Sequence, residues 1–306
     1  MHAIFTGHKW VLPTAPPKNK AMKIIRLKTE LQSEIDSLKL SGETIGFVPT
    51  MGALHDGHKA LVAQSVAEND ICIVSIFVNP TQFNNPTDLK KYPRNLDRDA
   101  AMLEQVGCKL IFAPEPTEIY DNNELNNRFS FDFAGLDTVM EGKFRPGHFN
   151  GVVQIVSKLF QLVQPDKAYF GEKDFQQLAI IHHMVKSMNF NVKIIDCPIV
   201  REPSGLAMSS RNERLTDEQR KKAEEISKVL FESRNFAPQL PPIELTDWVV
   251  EKVNRVEGLT VEYFEIVNST TLQPLNSWSA SAVGCIAVFC GEVRLIDNIR
   301  YNSVGN

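Results

Sequence analysis

Five apolar runs of strand length recur along the first two-thirds of the chain, at 44–48, 71–78, 109–113, 167–170 and 192–195. Several are apolar throughout rather than alternating, the pattern of strands covered on both faces of a parallel sheet. Helical periodicity fills the intervals, over 59–67, 96–106, 151–162 and 175–188. This alternation predicts an α/β fold, a Rossmann-like doubly wound parallel sheet. Ligands of such sheets bind beyond the carboxyl ends of the strands. The pattern changes after about residue 200. A charged helical segment over 217–231 is followed by 236–242, whose three prolines read as a linker, and then by strand-like pieces at 260–267, 285–290 and 293–295. These predict a second, smaller α+β domain. The expected divisions are an extension over 1–21, a first domain over 22–197 and a C-terminal domain over 198–306.

Composition narrows the class. Of 306 residues, 43% are hydrophobic and 23% charged, ordinary for a globular protein and unlike a disordered or collagenous chain. The 33 Lys and Arg against 37 Asp and Glu leave a net charge of −4. That balance lacks the footprint of a nucleic-acid-binding surface, but permits a local cluster of cations around a small phosphorylated ligand. The cysteines, at 72, 108, 197, 285 and 290, are odd in number and form no C-x-x-C. They are expected as buried, reduced thiols. No run of 18 apolar residues occurs, so no membrane span is expected. Residues 1–21 carry Pro13, Pro16 and Pro17 without an apolar core, and read as a disordered extension rather than a secretory signal.

The richest stretch is 47–62, FVPTMGALHDGHKALV. A strand runs out at Val48 and Pro49, Gly52 and Gly57 mark a tight passage, and His55 and His58 stand three apart where a helix begins. That spacing puts both imidazoles on one helix face, beside free backbone N–H groups that attract anions. Phosphate handling is the favoured reading. Zinc ligation, for which a third ligand is missing nearby, and purely structural histidines are the alternatives. No Walker P-loop is present.

Other stretches add polar groups. SIFVNPTQF at 75–83 brings Asn79 and Gln82 to the end of a strand, where amides can read hydroxyls or a carboxylate or simply cap a turn. GEKDFQQ at 171–177 places Lys173 and Asp174 at a helix start, the lysine suited to phosphate and the aspartate to a cap, a ribose or a metal. REPSGLAMSSRNERL at 201–215 carries Ser209, Ser210 and Arg211, either a mobile phosphate clamp or an exposed loop. EGKFRPGHFNGV at 141–152, with Arg145 and His148, reads equally as a binding loop or a polar turn.

Taken in order, PTMGALHDGH, SIFVNPTQF, YPR, EGKFRPGHFNGV, DKAYFGEKDFQQL and REPSGLAMSSRN resemble the pantoate–β-alanine ligases, from about Met22 to Asp297. His55 and His58 look like the HxGH signature of the wider nucleotidylyltransferase superfamily, and Met208–Arg211 like its degenerate KMSKS counterpart. The resemblance implies a cytoplasmic, homodimeric ligase that activates pantoate as an acyl adenylate with ATP and Mg²⁺, and then passes it to β-alanine. Neither nucleic acid nor membrane is an expected partner. The implied ATP contacts are Pro49, Thr50, Met51, Gly52, Ala53, Leu54, His55, Asp56, Gly57 and His58, then Gly171, Glu172, Lys173, Asp174 and Val200, and finally Met208, Ser209, Ser210 and Arg211. Of these, His58 would be the proton donor, His55 and Lys173 would stabilise phosphates, and Ser209, Ser210 and Arg211 would stabilise the transition state. Gln82 and Gln177 would hold pantoate, and Gln82 would also place β-alanine. The C-terminal domain would form a lid over the site. After Tyr92-Pro93-Arg94 the family often shows two adjacent acids. Here Arg98 takes one of those places before Asp99, so no protein metal ligand is assigned.

Overall fold

A computed structural model describes residues 22–301 except 84–85, 122–123, 125–128 and 238. The extension expected over 1–21 lies outside the described residues. Six strands form one sheet: β1 (Lys23–Ile25), β2 (Ile45–Thr50), β3 (Ile71–Ile76), β4 (Leu110–Phe112), β5 (Lys167–Gly171) and β6 (Lys193–Cys197). Their order is β1-β4-β3-β2-β5-β6, and the pairs β1–β4, β4–β3, β3–β2 and β2–β5 run parallel. The doubly wound parallel sheet expected from the apolar runs is therefore present. From β2 the chain moves outward to β3 on one side and later to β5 on the other. This reversal is the position where such sheets bind ligands.

Several elements escaped the patterning, β1 and the helix Lys28–Leu40 among them. β1 has only three residues, two of them exposed, too few to show a period. The helix Lys28–Leu40 buries only Leu31, Ile35 and Leu38 among charged neighbours. Helices begin earlier than expected where polar residues form the first turn, at Asp56–Glu68 and His148–Val163.

By internal contacts the chain divides into two compact units. The first comprises Met1–Phe131, Gly147–Phe170 and Ile181–Cys197; the second comprises Asp132–Pro146, Gly171–Ile180 and Pro198–Asn306. The second unit contains an antiparallel sheet of β7 (Leu259–Asn268), β8 (Ala282–Cys290) and β9 (Val293–Arg300). Its longest helices are Asp217–Phe236, started by a reciprocal Thr216–Gln219 capping box, and Pro242–Asn254. Pro242 stands at the first helical position, where its missing N–H costs nothing. The expected linker over 236–242 is thus only the turn between two packed helices. β9 runs five residues beyond the expected 293–295, because the buried Asp297 and Asn298 interrupt its apolar pattern. All five cysteines are free and buried. Among the described residues no helix is long and apolar enough to cross a membrane.

Candidate active site

β2 delivers the chain to the first cluster. Thr50 donates its hydroxyl to the Ser75 carbonyl at 2.7 Å and accepts the Gly52 N–H at 3.2 Å. Gly52 and Ala53 then adopt left-handed backbones, φ +79° and +51°. Such a conformation is cheap for glycine and costly for alanine. Asp99 holds it in place: its buried carboxylate accepts the N–H groups of Ala53 at 3.0 Å and Leu54 at 2.9 Å.

The helix Asp56–Glu68 starts with histidine in both halves of a reciprocal cap. His55 Nδ1 accepts the Gly57 N–H at 3.1 Å, and His58 Nδ1 accepts the His55 N–H at 3.3 Å. The ring centroids are 4.2 Å apart. An Nδ1 that accepts a hydrogen bond carries no proton, so each neutral ring holds its proton on Nε2. Both rings therefore cap the helix through Nδ1 and carry their proton on Nε2. Among the described residues no group of three His, Cys, Asp or Glu side chains could hold a metal ion.

Gln82 ends a 3-10 turn over Pro80–Gln82 that Asn79 caps by accepting the Thr81 N–H. Its Nε2 lies 2.9 Å from the sulfur of Met51 and its Oε1 accepts from Asn79 Nδ2 at 3.1 Å. His148 Nδ1 lies 2.8 Å from the Gln82 carbonyl. A Cβ on Gly151 would fall 2.5 Å from the Thr81 backbone and 2.6 Å from Gln82 Cα. Only glycine lets the helix His148–Val163 lie this close to the turn. Of the 141–152 stretch, His148 thus supports Gln82 from within the first unit.

The second unit carries the remaining candidates. Asn298 Nδ2 donates to the carbonyls of Glu172 at 2.8 Å and Lys173 at 3.1 Å, and Arg300 pairs with the Glu172 carboxylate at 2.7 Å. β9 therefore fixes the backbone on either side of Lys173, whose Nζ is 3.4 Å from Asp174. Gln176 is buried and spent on structure, donating to the carbonyls of Leu136 at 2.7 Å and Val139 at 2.9 Å. Gln177, its neighbour, is half-buried.

Val200 and Met208 are joined by a backbone bond, Met208 N–H to Val200 carbonyl at 3.0 Å, with an antiparallel bridge at Arg201 and Ala207. Ser209 then caps a 3-10 turn over Ser210–Arg214 by accepting the Arg211 N–H at 3.2 Å. Behind it, Asn212 donates to Glu202 and to the Ala207 carbonyl, and Arg220 binds Glu202 at 2.7 Å. The stretch 201–215 is thus a braced hairpin and turn rather than a plain exposed loop.

Arg145 follows the short helix Met140–Phe144 and lies 3.4 Å from Glu141, which Arg294 also grips through both carboxylate oxygens at 2.6 and 3.0 Å. Burial lowers the affinity of the Arg145 guanidinium for its proton, as do the charges of Arg211 and Arg294, while Glu141 opposes them.

Residues 23–300 match the family described as pantoate-beta-alanine ligase. The chain belongs to the pantoate-beta-alanine ligase family. It is 58% identical to the pantothenate synthetase of Phocaeicola vulgatus over 283 residues, 92% of this chain and 99% of that one. It is 55% identical to the pantothenate synthetase of Bacteroides thetaiotaomicron, over 92% of this chain and all of its relative. Among solved structures, the pantothenate synthetase of Thermus thermophilus superposes with TM-score 0.85 at 41% identity, covering 92% of this chain and all of that one. The Francisella tularensis pantoate-beta-alanine ligase, solved with β-γ ATP and β-alanine, gives TM-score 0.78 at 38% identity over 92% of this chain and 98% of its own. This chain is a ligase joining pantoate to β-alanine.

Several residues that brace the candidate stretches were not themselves singled out for chemistry. Asp99 and Asn298 hold the backbone of candidate residues, Gln176 ties down the carbonyls of Leu136 and Val139, and Arg294 grips Glu141 beside Arg145. Asp99 stood in view after the YPR motif, yet a helical aspartate carries no mark of what it will accept. The others act over separations of about 35 to 150 residues in the chain, where no local spacing applies.

Proposed function

We propose that the ligase activates pantoate by adenylation, with the residues in the roles the resemblance implies. The pantoate carboxylate attacks the α-phosphorus of ATP and displaces pyrophosphate; the β-alanine amine then attacks the mixed anhydride, forms the amide and releases AMP. A free carboxylate would have to expel oxide, which is why activation comes first. Such transfers depend on positioning and on stabilising charge. The observation that carries the reading is the paired histidine cap at the end of β2, which aims two Nε2–H donors next to the N-terminus of a 13-residue helix.

His55 and His58 hydrogen-bond the phosphates, with Pro49–Asp56 wrapping the nucleotide, and His58 supplies the proton that the leaving group takes up. Lys173, Ser209, Ser210 and Arg211 neutralise phosphate charge; Gly171–Asp174 and Val200 receive the remainder of ATP. Gln82 and Gln177 read pantoate, and Gln82 also places β-alanine. A Mg²⁺ carried on the phosphates of ATP suits these surroundings, since the ion keeps most of its waters and takes few protein ligands; it would offset phosphate charge. Free, buried cysteines suit a reducing cytoplasm, and the family resemblance supports a homodimer.

Mass spectrometry of products formed from ATP, pantoate and β-alanine should show pantothenate, AMP and pyrophosphate in equal amounts. Pyrophosphate exchange into ATP should require pantoate but not β-alanine. Exchange indifferent to pantoate would remove the adenylation step.

A further inference from the structure

The amide of Gln82 has its polarity set from behind by Asn79, whose amide oxygen a buried phenol also engages. Tyr120 donates its hydroxyl to Asn79 Oδ1 at 2.7 Å. The same oxygen accepts the hydroxyl of Thr81 at 3.2 Å and the Thr81 N–H at 3.4 Å. On the other side, Asn79 Nδ2 faces the Gly151 carbonyl at 3.0 Å and Gln82 Oε1 at 3.1 Å. A backbone N–H can only donate and a backbone carbonyl can only accept, so the Asn79 amide has one consistent orientation. Gln82 must then turn its oxygen inward and its Nε2 outward, where the sulfur of Met51 is at 2.9 Å. A thioether is a weak acceptor, and a carboxylate or hydroxyl oxygen is a better partner for that N–H.

The phenol ring does not need its oxygen in order to pack. It lies against Phe77, ring centroids 6.3 Å apart, and under Lys158 Nζ at 5.6 Å, contacts that phenylalanine would also make. Burial pushes the hydroxyl up to about 12, so it remains a donor at neutral pH.

We propose that Tyr120 is a positioning residue of the ligase, fixing Gln82 through Asn79 as a hydrogen-bond donor to the acid substrate. The inference rests on Gln82 being a pantoate reader, and the experiment keeps the two apart. Steady-state constants for pantoate and for ATP are measured on the full chain for Gln82→Ala, Tyr120→Phe and the double variant, with thermal unfolding alongside. Gln82→Ala should raise the KM for pantoate and leave the KM for ATP unchanged; if it does not, the reading of Gln82 fails. Given that effect, Tyr120→Phe should raise the pantoate KM about threefold to tenfold, and the double variant should be no worse than Gln82→Ala alone, as for residues acting through one group. An unchanged pantoate KM in Tyr120→Phe, or losses that multiply in the double variant, would overturn the inference. If Tyr120→Phe does not fold, Asn79→Asp decides. Its carboxylate cannot donate to Gln82 Oε1, so the Gln82 amide should turn its oxygen outward and pantoate use should fall about a hundredfold, again without further loss when combined with Gln82→Ala. Full pantoate use by Asn79→Asp would reject the chain.

Discussion

Asp99 and Leu54 are 45 residues apart in the chain, yet the carboxylate of one accepts the backbone N–H of the other at 2.9 Å. The second carboxylate oxygen takes the N–H of Ala53 at 3.0 Å, and a Cβ on Gly52 would come within 3.0 Å of that same oxygen. One buried side chain therefore holds the left-handed turn that brings His55 to its helix. Hydrogen bonds to a charged group contribute about 1.5–3 kcal/mol, and an orphaned buried N–H carries a comparable penalty. Asp99→Ala should lower the unfolding free energy by roughly 3 kcal/mol and reduce kcat for pyrophosphate exchange. Asp99→Asn should do less of both, because its amide oxygen still accepts one N–H. Urea unfolding and exchange kinetics on the two variants test this; equal rates in Asp99→Ala and the unchanged ligase would dissociate Asp99 from the site.

The paired cap gives His58 a structural part beside the chemical one proposed for it. His58→Ala removes the acceptor for the His55 N–H, a change worth about 1 kcal/mol for an N-terminal cap, and removes an Nε2–H donor. Turnover should fall by orders of magnitude while ATP affinity, measured by calorimetry, changes little. Loss of ATP binding in step with turnover would make the histidine a binding group only.

Adjacent glutamines should separate cleanly. Gln176 ties down 136–142 through the carbonyls of Leu136 and Val139, so Gln176→Ala should cost about 2 kcal/mol of stability through unpaired buried groups. Gln177→Ala should leave stability nearly unchanged and raise the KM for pantoate more than that for ATP. Paired thermal-unfolding and kinetic measurements distinguish them, and a reversed pattern would exchange their roles.

Acid should reveal the Glu141 cluster. Burial alone would raise its carboxyl, but the hydrogen bonds and charge of Arg294, with Arg145 and Tyr263, hold it down to about 2 from an ordinary 4.5. A carboxyl depressed in the folded state contributes stability that is complete above its unfolded value and is lost as pH falls through the folded one. The window here runs from about 4.5 down to about 2, and the contribution at neutral pH is on the order of 3 kcal/mol. Glu141→Gln should therefore be less stable than the unchanged ligase at neutral pH, and the gap should narrow as urea unfolding is repeated at lower pH within that window. A gap independent of pH would mean that the folded carboxyl is not depressed.

The amino-acid order alone determined the parallel sheet, because β2, β3 and β5 are near-continuous apolar runs with a length and spacing that admit few other folds. It also carried the family and the reaction, since His55, His58, Gln82, Gln177, Lys173 and Ser209–Arg211 lie in long stretches whose order resembles one family. Local signals could mark the turn at Gly52 and the helix that follows, because capping and left-handed backbones depend on near neighbours. Tertiary structure alone decided which groups hold those residues in place. Asp99 under Ala53 and Leu54, Tyr120 behind Asn79, Asn298 behind Lys173 and Arg294 on Glu141 are pairings of distant residues, and each looks in the sequence like any other polar side chain. Their hydrogen bonds depend on burial and direction, which arise only when the elements pack. The same cause explains the histidine pair, whose spacing suggested a ligand site and whose fold engages Nδ1 of both rings in the helix cap.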